Sequence, residues 1–270
     1  MTDADDPTQA LLRGELSVLG RIRSASNATF LCEARLGEAS VHCVYKPVAG
    51  EQPLWDFPDG TLAGRELAAY LISAALGWDI VPLTISRDGP AGSGMLQLWV
   101  EQRGDSDDSE ADDPGLVDLC PVNSVPAGYI PVLSAFDYAV GEVALVHADD
   151  PRLQRMAVFD VIVNNADRKG GHILAGVDGR VYGVDHGISM HAQDKLRTVL
   201  WGWAGQPLDG ETLEHVSALE DTLRGSLGAQ LRKHVTSAEV AALRGRVRAL
   251  LDDPVMPKPE RSRPIPWPAF

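Results

Sequence analysis

Basic residues are scarce in this chain: 24 Lys and Arg stand against 38 Asp and Glu, a formal net charge of -14. Neutralising nucleic-acid phosphates or docking on an anionic membrane needs a basic surface, so neither nucleic acid nor a stable membrane association is expected. Cysteine is rare and odd in number. Cys32, Cys43 and Cys120 are widely spaced, which suits free thiols of a reduced cytoplasm better than disulfides or a zinc site. No apolar run reaches the roughly 18 residues of a spanning helix. No basic segment leads into an apolar stretch at the N-terminus, so no signal peptide is expected. The phosphate-loop pattern Gly-x-Gly-x-x-Gly is also missing.

What is present is concentrated in two short stretches. Asn164-Asn165-Ala166-Asp167-Arg168-Lys169-Gly170-Gly171-His172 is followed by the apolar run Ile173–Ala175. The turn Val177-Asp178-Gly179-Arg180 leads into Val181–Val184 and then Asp185-His186-Gly187. The Asp-Gly pair signals a hairpin, which would bring Asp167, His172 and Asp185 together. A proton acceptor on a loop with metal ligands on either side of a hairpin is the arrangement used for phosphoryl transfer.

The rest of the chain is read against that possibility. Gly14–Arg23, Thr29–Leu36 and Ala39–Lys46 read as a strand meander. Leu62–Leu76 has helical apolar spacing and ends at Gly77. Val81–Ser86 and Met95–Val100 read as a second hairpin. The run from Asp105 to Asp113 carries six acidic residues. It reads as a solvated loop, since the glycine and terminal glutamate of a calcium loop are absent. Asp150-Pro151 starts a helix over Pro151–Asn164. Glu211–Gly225 and Ser237–Leu251 read as amphipathic helices, with a capping box at Thr236 and Glu239. The expected units are residues 1–103, a sheet with one helix that binds nucleotide; 104–131, an acidic surface loop and linker; 132–254, a mainly helical part with the catalytic loop and metal-binding hairpin; and 255–270, an extended proline-rich tail.

Lys46 ends the third strand, where it could reach nucleotide phosphates if a carboxylate held it. Glu66 on the single helix of the first unit is the candidate partner. Ser24, Ser26 and Asn27 lie where a phosphate-covering loop would sit, or form a plain polar turn. Leu98, Trp99 and Val100 stand at the expected hinge against adenine, with a core role for Trp99 as the alternative. Asp167 is the candidate to accept or orient the acceptor hydroxyl proton. Arg168 and Lys169 either neutralise the transferring phosphate or pair with acidic neighbours. Asp185 is the candidate metal ligand, and His172 either joins it or is a hydrogen-bonded core histidine.

Asp167-Arg168-Lys169 and Asp185-His186-Gly187 resemble the catalytic segments of the phosphatidylinositol 3-/4-kinase-like family. The likeness is closer still to actinobacterial kinase-like proteins of about this length, and toxin-type kinases are a neighbouring likeness. It is carried mainly by residues 156–190. It implies an α+β, bilobal protein-kinase-like fold with a small antiparallel-sheet N-lobe and a mainly helical C-lobe. It implies ATP with Mg²⁺ or Mn²⁺ as cofactors, and a hydroxyl of a small soluble molecule or a protein as acceptor. The pattern departs from the family at His172, where an asparagine is usual, and at His186, where a phenylalanine is usual. In lipid kinases of this type, basic residues after the metal aspartate bind an anionic head group. His191, Lys195 and Arg197 occupy that segment here. Other readings compete: a pseudokinase-like nucleotide-binding regulatory module, a kinase fold transferring AMP, and a metal hydrolase using His172, Asp185, His186 and His191.

Overall fold

Lys46 owes its direction to strand alternation. In the strand Ala39–Pro47 (β3), Cys43 and Tyr45 are fully buried in a small core with Leu11, Cys32, Ala34 and Leu96. Successive side chains point to opposite faces, so Lys46 faces the other side of the sheet. Its register partner Met95 packs there against Ala63 and Leu67 of a helix. The computed structural model describes residues 7–23, 25–102, 115–137, 139 and 141–270.

The order begins with a short helix, Pro7–Arg13 (α1), then Glu15–Arg21 (β1), Phe30–Leu36 (β2) and β3. The helix Leu62–Leu76 (α2) precedes Thr84–Gly89 (β4) and Gly92–Leu98 (β5). These five strands form one antiparallel sheet in the order β1-β2-β3-β5-β4. Three further strands follow: Val117–Pro121 (β6), Tyr129–Asp137 (β7) and Gly141–Ala148 (β8). They make a second antiparallel sheet in the order β6-β8-β7.

Then come the helix Pro151–Val163 (α3), the hairpin Ile173–Ala175 (β9) and Val181–Gly183 (β10), and three helices. These are Gly210–Arg224 (α4), Ser226–Leu231 (α5) and Ser237–Asp252 (α6). The largest core lies where α2, α3, α4 and α6 meet, around Ile72, Phe159, Ile162, Leu219, Leu243 and Val247. The architecture is therefore a mixed α/β chain with an antiparallel-sheet N-terminal region and a helical part.

Residues 104–131, expected as a loop and linker, are corrected by this structure in their described portion. Val117–Pro121 is a strand and Tyr129 opens another. Residues 132–254 likewise begin with β-sheet and not with helix. Pro121 ends β6, Gly128 takes a positive φ just before β7, and β6 pairs with a strand more than twenty residues further on. The acidic run of residues 105–113 lies outside the described residues, as does Ser24.

Residues 255–270 form no helix or strand, yet they pack against the fold. Met256 is buried, and Val255 bridges Pro207. Among the described residues no helix is long and apolar enough to cross a membrane.

Candidate active site

The first turn of α2 has three of its four free backbone N–H groups satisfied by side chains. Glu51 accepts from Leu62 and Ala63, and Thr61 accepts from Gly64. Such capping fixes where a helix starts and so places Glu66 one turn in. Glu66 is only 1% exposed. Its Oε1 accepts from Lys46 Nζ at 2.5 Å, and its Oε2 accepts from the backbone N–H of His186 at 3.0 Å.

Lys46 Nζ also donates to Asp185 Oδ1 at 2.7 Å. Burial alone would lower the Lys46 ammonium, but Glu66 and Asp185 outweigh it and hold the group above the ordinary lysine range. The same lysine holds the Asp185 carboxyl well below the usual carboxylate range, against burial. Burial pushes the Glu66 carboxyl up, opposed by Lys46. Three charges thus share one point where the N-terminal sheet, α2 and the hairpin meet. Asp185 has φ +60°, a left-handed conformation uncommon for a residue with a Cβ, and about half its side chain is open to solvent.

Asp167 lies on the loop after α3. That helix ends at Asn164 with φ +54°. Asn164 donates to the carbonyls of His191 and Gln193 and accepts from Lys195 N–H. Asn165 accepts from Asp167 N–H and donates to Asp160 Oδ1. Asn164 therefore ties the loop to the segment after Asp185, and Asn165 ties it back to α3. Burial raises the Asp167 carboxyl, opposed by Lys169, whose Nζ lies 3.3 Å away. A base shifted upward is better matched to taking a proton near neutrality.

His172 connects the two aspartates. Its Nδ1 is 2.9 Å from the Asp167 carbonyl oxygen, and its Nε2 is 3.5 Å from Asp185 Oδ2. Burial lowers its imidazole to about 4, so it is neutral at pH 7. A carbonyl only accepts, so Nδ1 carries the proton and Nε2 presents a lone pair. Two acceptors, an imidazole nitrogen and a carboxylate oxygen, then face each other. Such a pair suits a cation between them. Imidazole favours transition metals such as Mn²⁺ more than it favours Mg²⁺.

No family model matches the chain. Protein Rv2133c of Mycobacterium tuberculosis (strain ATCC 25618 / H37Rv) is 65% identical, over 100% of this chain and 98% of that protein. The chain belongs to the Rv2133c family. Among solved structures, the crystal structure of the golgi casein kinase is similar over 92% of this chain and 74% of that one, with a TM-score of 0.45 and 11% identity.

Lys46, Glu66 and Asp185 converge, and Asp167 and His172 join them through the loop. Arg168 does not. The expectation that it is a catalytic group at the phosphate is corrected: it is fully buried and paired with Asp160 at 3.0–3.1 Å. It also donates to the carbonyls of His172 and Val184, so it holds loop and hairpin together from behind.

Asp160 anchors this network. It accepts in addition from Asn165 and from Thr198 Oγ1. Its one legible signal was a carboxylate inside the apolar run Phe159–Val161. His186 is buried too, with Nε2 2.6 Å from Arg168 Nη2 and its ring edge-on to Phe159. Arginine only donates, so this nitrogen accepts, and burial keeps the ring neutral. A hydrolytic metal set of His172, Asp185, His186 and His191 is not assembled, since His186 faces Arg168 and His191 packs on Phe57.

Leu98, Trp99 and Val100 line a cavity of about 380 Å³ with Tyr70, Val177 and Tyr182. It lies at the turn end of the β9–β10 hairpin, and neither Lys46 nor Asp185 borders it. Ser26 is exposed, and Asn27 Oδ1 accepts from Gln52 N–H, bracing the turn against the next loop.

Proposed function

We propose that this chain is an ATP- and divalent-metal-dependent phosphotransferase that acts on a hydroxyl group. The observation that carries the reading is Lys46 held between Glu66 and Asp185, with the Asp167 carboxylate on the adjoining loop. A lysine so placed would bind nucleotide phosphates, and Glu66 would hold it in position.

Asp185 and His172 would hold the metal, which when bound supplies charge neutralisation at the phosphates. Asp167 would orient the acceptor hydroxyl and take its proton. The hydroxyl oxygen bonds to the γ-phosphorus as the bond from that phosphorus to the β,γ-bridging oxygen breaks, and ADP leaves. Lys169 beside Asp167 would balance charge at the transferring group.

Leu98 N–H and Trp99 N–H are already taken by the carbonyls of Leu83 and His42. An adenine edge would therefore be read at Val100. The three free cysteines support a reducing, cytoplasmic setting.

The test is thermal unfolding with millimolar ATP and either Mg²⁺ or Mn²⁺. Native-state binding stabilises by about 2.7 kcal/mol at roughly 100 times Kd. A metal-dependent rise in Tm that Asp185→Asn removes is the expected result. No rise with either metal would overturn the reading. Binding without turnover against a broad acceptor panel would move it to a nucleotide-binding regulatory module.

A further inference from the structure

The stretch of chain between Asp167 and His172 contains the pair Gly170-Gly171. Glycine gives up more conformational freedom on folding than any other residue. Local sequence therefore leaves open where the imidazole stands relative to the carboxylate. Two bonds close the turn: His172 N–H donates to the Lys169 carbonyl, and its Nδ1 to the Asp167 carbonyl. Both need the two glycines in one conformation. The fold holds the turn on either side of them. Arg168 N–H donates to the Arg197 carbonyl, and the His172 carbonyl accepts from Val184 N–H. Neither of those bonds involves a glycine of the pair.

Gly170 is held from a distant part of the chain. Its N–H donates to the Ala269 carbonyl at 2.8 Å. The Phe270 ring fills the space that a Cβ on residue 170 would need. Gly170 is not among the glycines with positive φ. The ring, and not a left-handed backbone, therefore accounts for a glycine at this position.

The segment that carries Phe270 suits this contact. Residues 254–270 include six prolines. Proline fixes φ and removes a donor. Such a segment costs less to order than a flexible one, and it meets the fold mainly through its carbonyls. Pro254 accepts from Leu208 N–H and Met256 from Gly205 N–H. Pro264 accepts from Thr198 N–H and from Trp201 Nε1. The segment is thus a strap laid along residues 198–208, with its far end on the loop three residues past Asp167. About half of Phe270 stays exposed, so its removal takes little from the core.

We propose that Phe270 is a positioning residue: with the Ala269 carbonyl it clamps Gly170, and so fixes His172 and Asp167 where metal binding and proton transfer need them. The inference rests on the phosphotransferase reading above. Amide hydrogen exchange of the full chain reads the clamp with neither nucleotide nor metal present. In Phe270→Ala the Gly170 and His172 amides should exchange about tenfold faster or more, with the α3 amides unchanged. Phe270→Tyr, which keeps the ring, should exchange as wild type does. Calorimetry then reads the consequence. The Mn²⁺ complex of a non-hydrolysable ATP analogue should bind Phe270→Ala about tenfold more weakly, the scale of lost support behind a metal ligand. The metal-free analogue should bind both proteins equally, whereas a general loosening would weaken the two together. Gly170→Ala, whose methyl displaces the ring, should match Phe270→Ala, and the double variant should be no weaker than either. Unchanged exchange at Gly170 and His172 in Phe270→Ala would overturn the proposal, as would unchanged affinity for the Mn²⁺ complex. If wild type itself does not bind that complex, the phosphotransferase reading fails and this inference falls with it.

Discussion

The Nδ1 of His172 donates to the carbonyl oxygen of Asp167 across 2.9 Å, so the backbone of one candidate catalytic residue sets the tautomer of the next. The lone pair on Nε2 is thereby aimed at Asp185. Mn²⁺ should accordingly support a larger ATP-dependent rise in Tm than Mg²⁺. His172→Asn, which offers an amide oxygen, should reverse that order. A metal titration of both proteins checks it; an unchanged preference would remove His172 from the metal site.

Asp167→Asn should lower kcat by about 10²–10⁴-fold while leaving ATP affinity unchanged, because a positioned base acts chiefly in the transition state. Asp185→Asn should damage metal–nucleotide binding and turnover together. Steady-state kinetics beside calorimetric ATP binding separate the two. Unchanged turnover in Asp167→Asn would show that another group orients the acceptor.

Lys46→Met should abolish nucleotide binding and also destabilise the protein. It leaves Glu66 a buried carboxylate without its cation, and breaking a buried pair costs about 3–5 kcal/mol. Lys46 keeps some solvent contact, so the loss should fall at or below the lower end. Glu66→Gln, which keeps the shape and removes the charge, should cost less. Urea unfolding of the two variants gives the comparison.

Asp160→Ala should destabilise by about 3–5 kcal/mol, since Arg168 would remain charged and fully enclosed. Turnover should fall as well, because the loop carrying Asp167 loses its anchor. Ile162→Val on the same helix is a control expected to cost about 0.5–1.5 kcal/mol with activity kept. Urea unfolding and a single turnover assay at low temperature test both effects.

Acid should destabilise the fold through buried histidines. Burial lowers His147, opposed by its bond to the Ala148 carbonyl and by Asp149, and lowers His186 further. The unfolded chain binds protons at these rings near pH 6.5 while the folded chain does not. Stability is therefore full above about pH 6.5 and falls as pH drops below it. His147 also accepts from Gly202 N–H and packs on Trp203. His147→Gln should flatten the slope of unfolding free energy below about pH 6.5. An identical slope in the variant would assign the acid sensitivity to other groups.

By itself the sequence determined what depends on neighbours in the chain. Helix Leu62–Leu76 was legible with its C-cap at Gly77, because apolar spacing and a left-handed glycine are local signals. The Asp178-Gly179 turn announced the hairpin for the same reason. The grouping of Lys46, Glu66 and Asp185 could be anticipated from element order. Only the tertiary structure decided what depends on distant partners. Strand β6 was hidden because its ladder is completed by residues more than twenty positions further on, whereas β7 and β8 pair as a local hairpin that reading this stretch as linker passed over. Arg168 and Asp167 are adjacent in sequence yet differ in surroundings, because the strand-like pairing with residues 197–199 holds Arg168 against buried Asp160 while Asp167 stays partly exposed beside Lys169. The C-terminal segment, residues 255–270, was legible only as prolines. Its seat on Gly170 follows from packing a ring against a glycine a hundred residues earlier, and no local pattern encodes that contact.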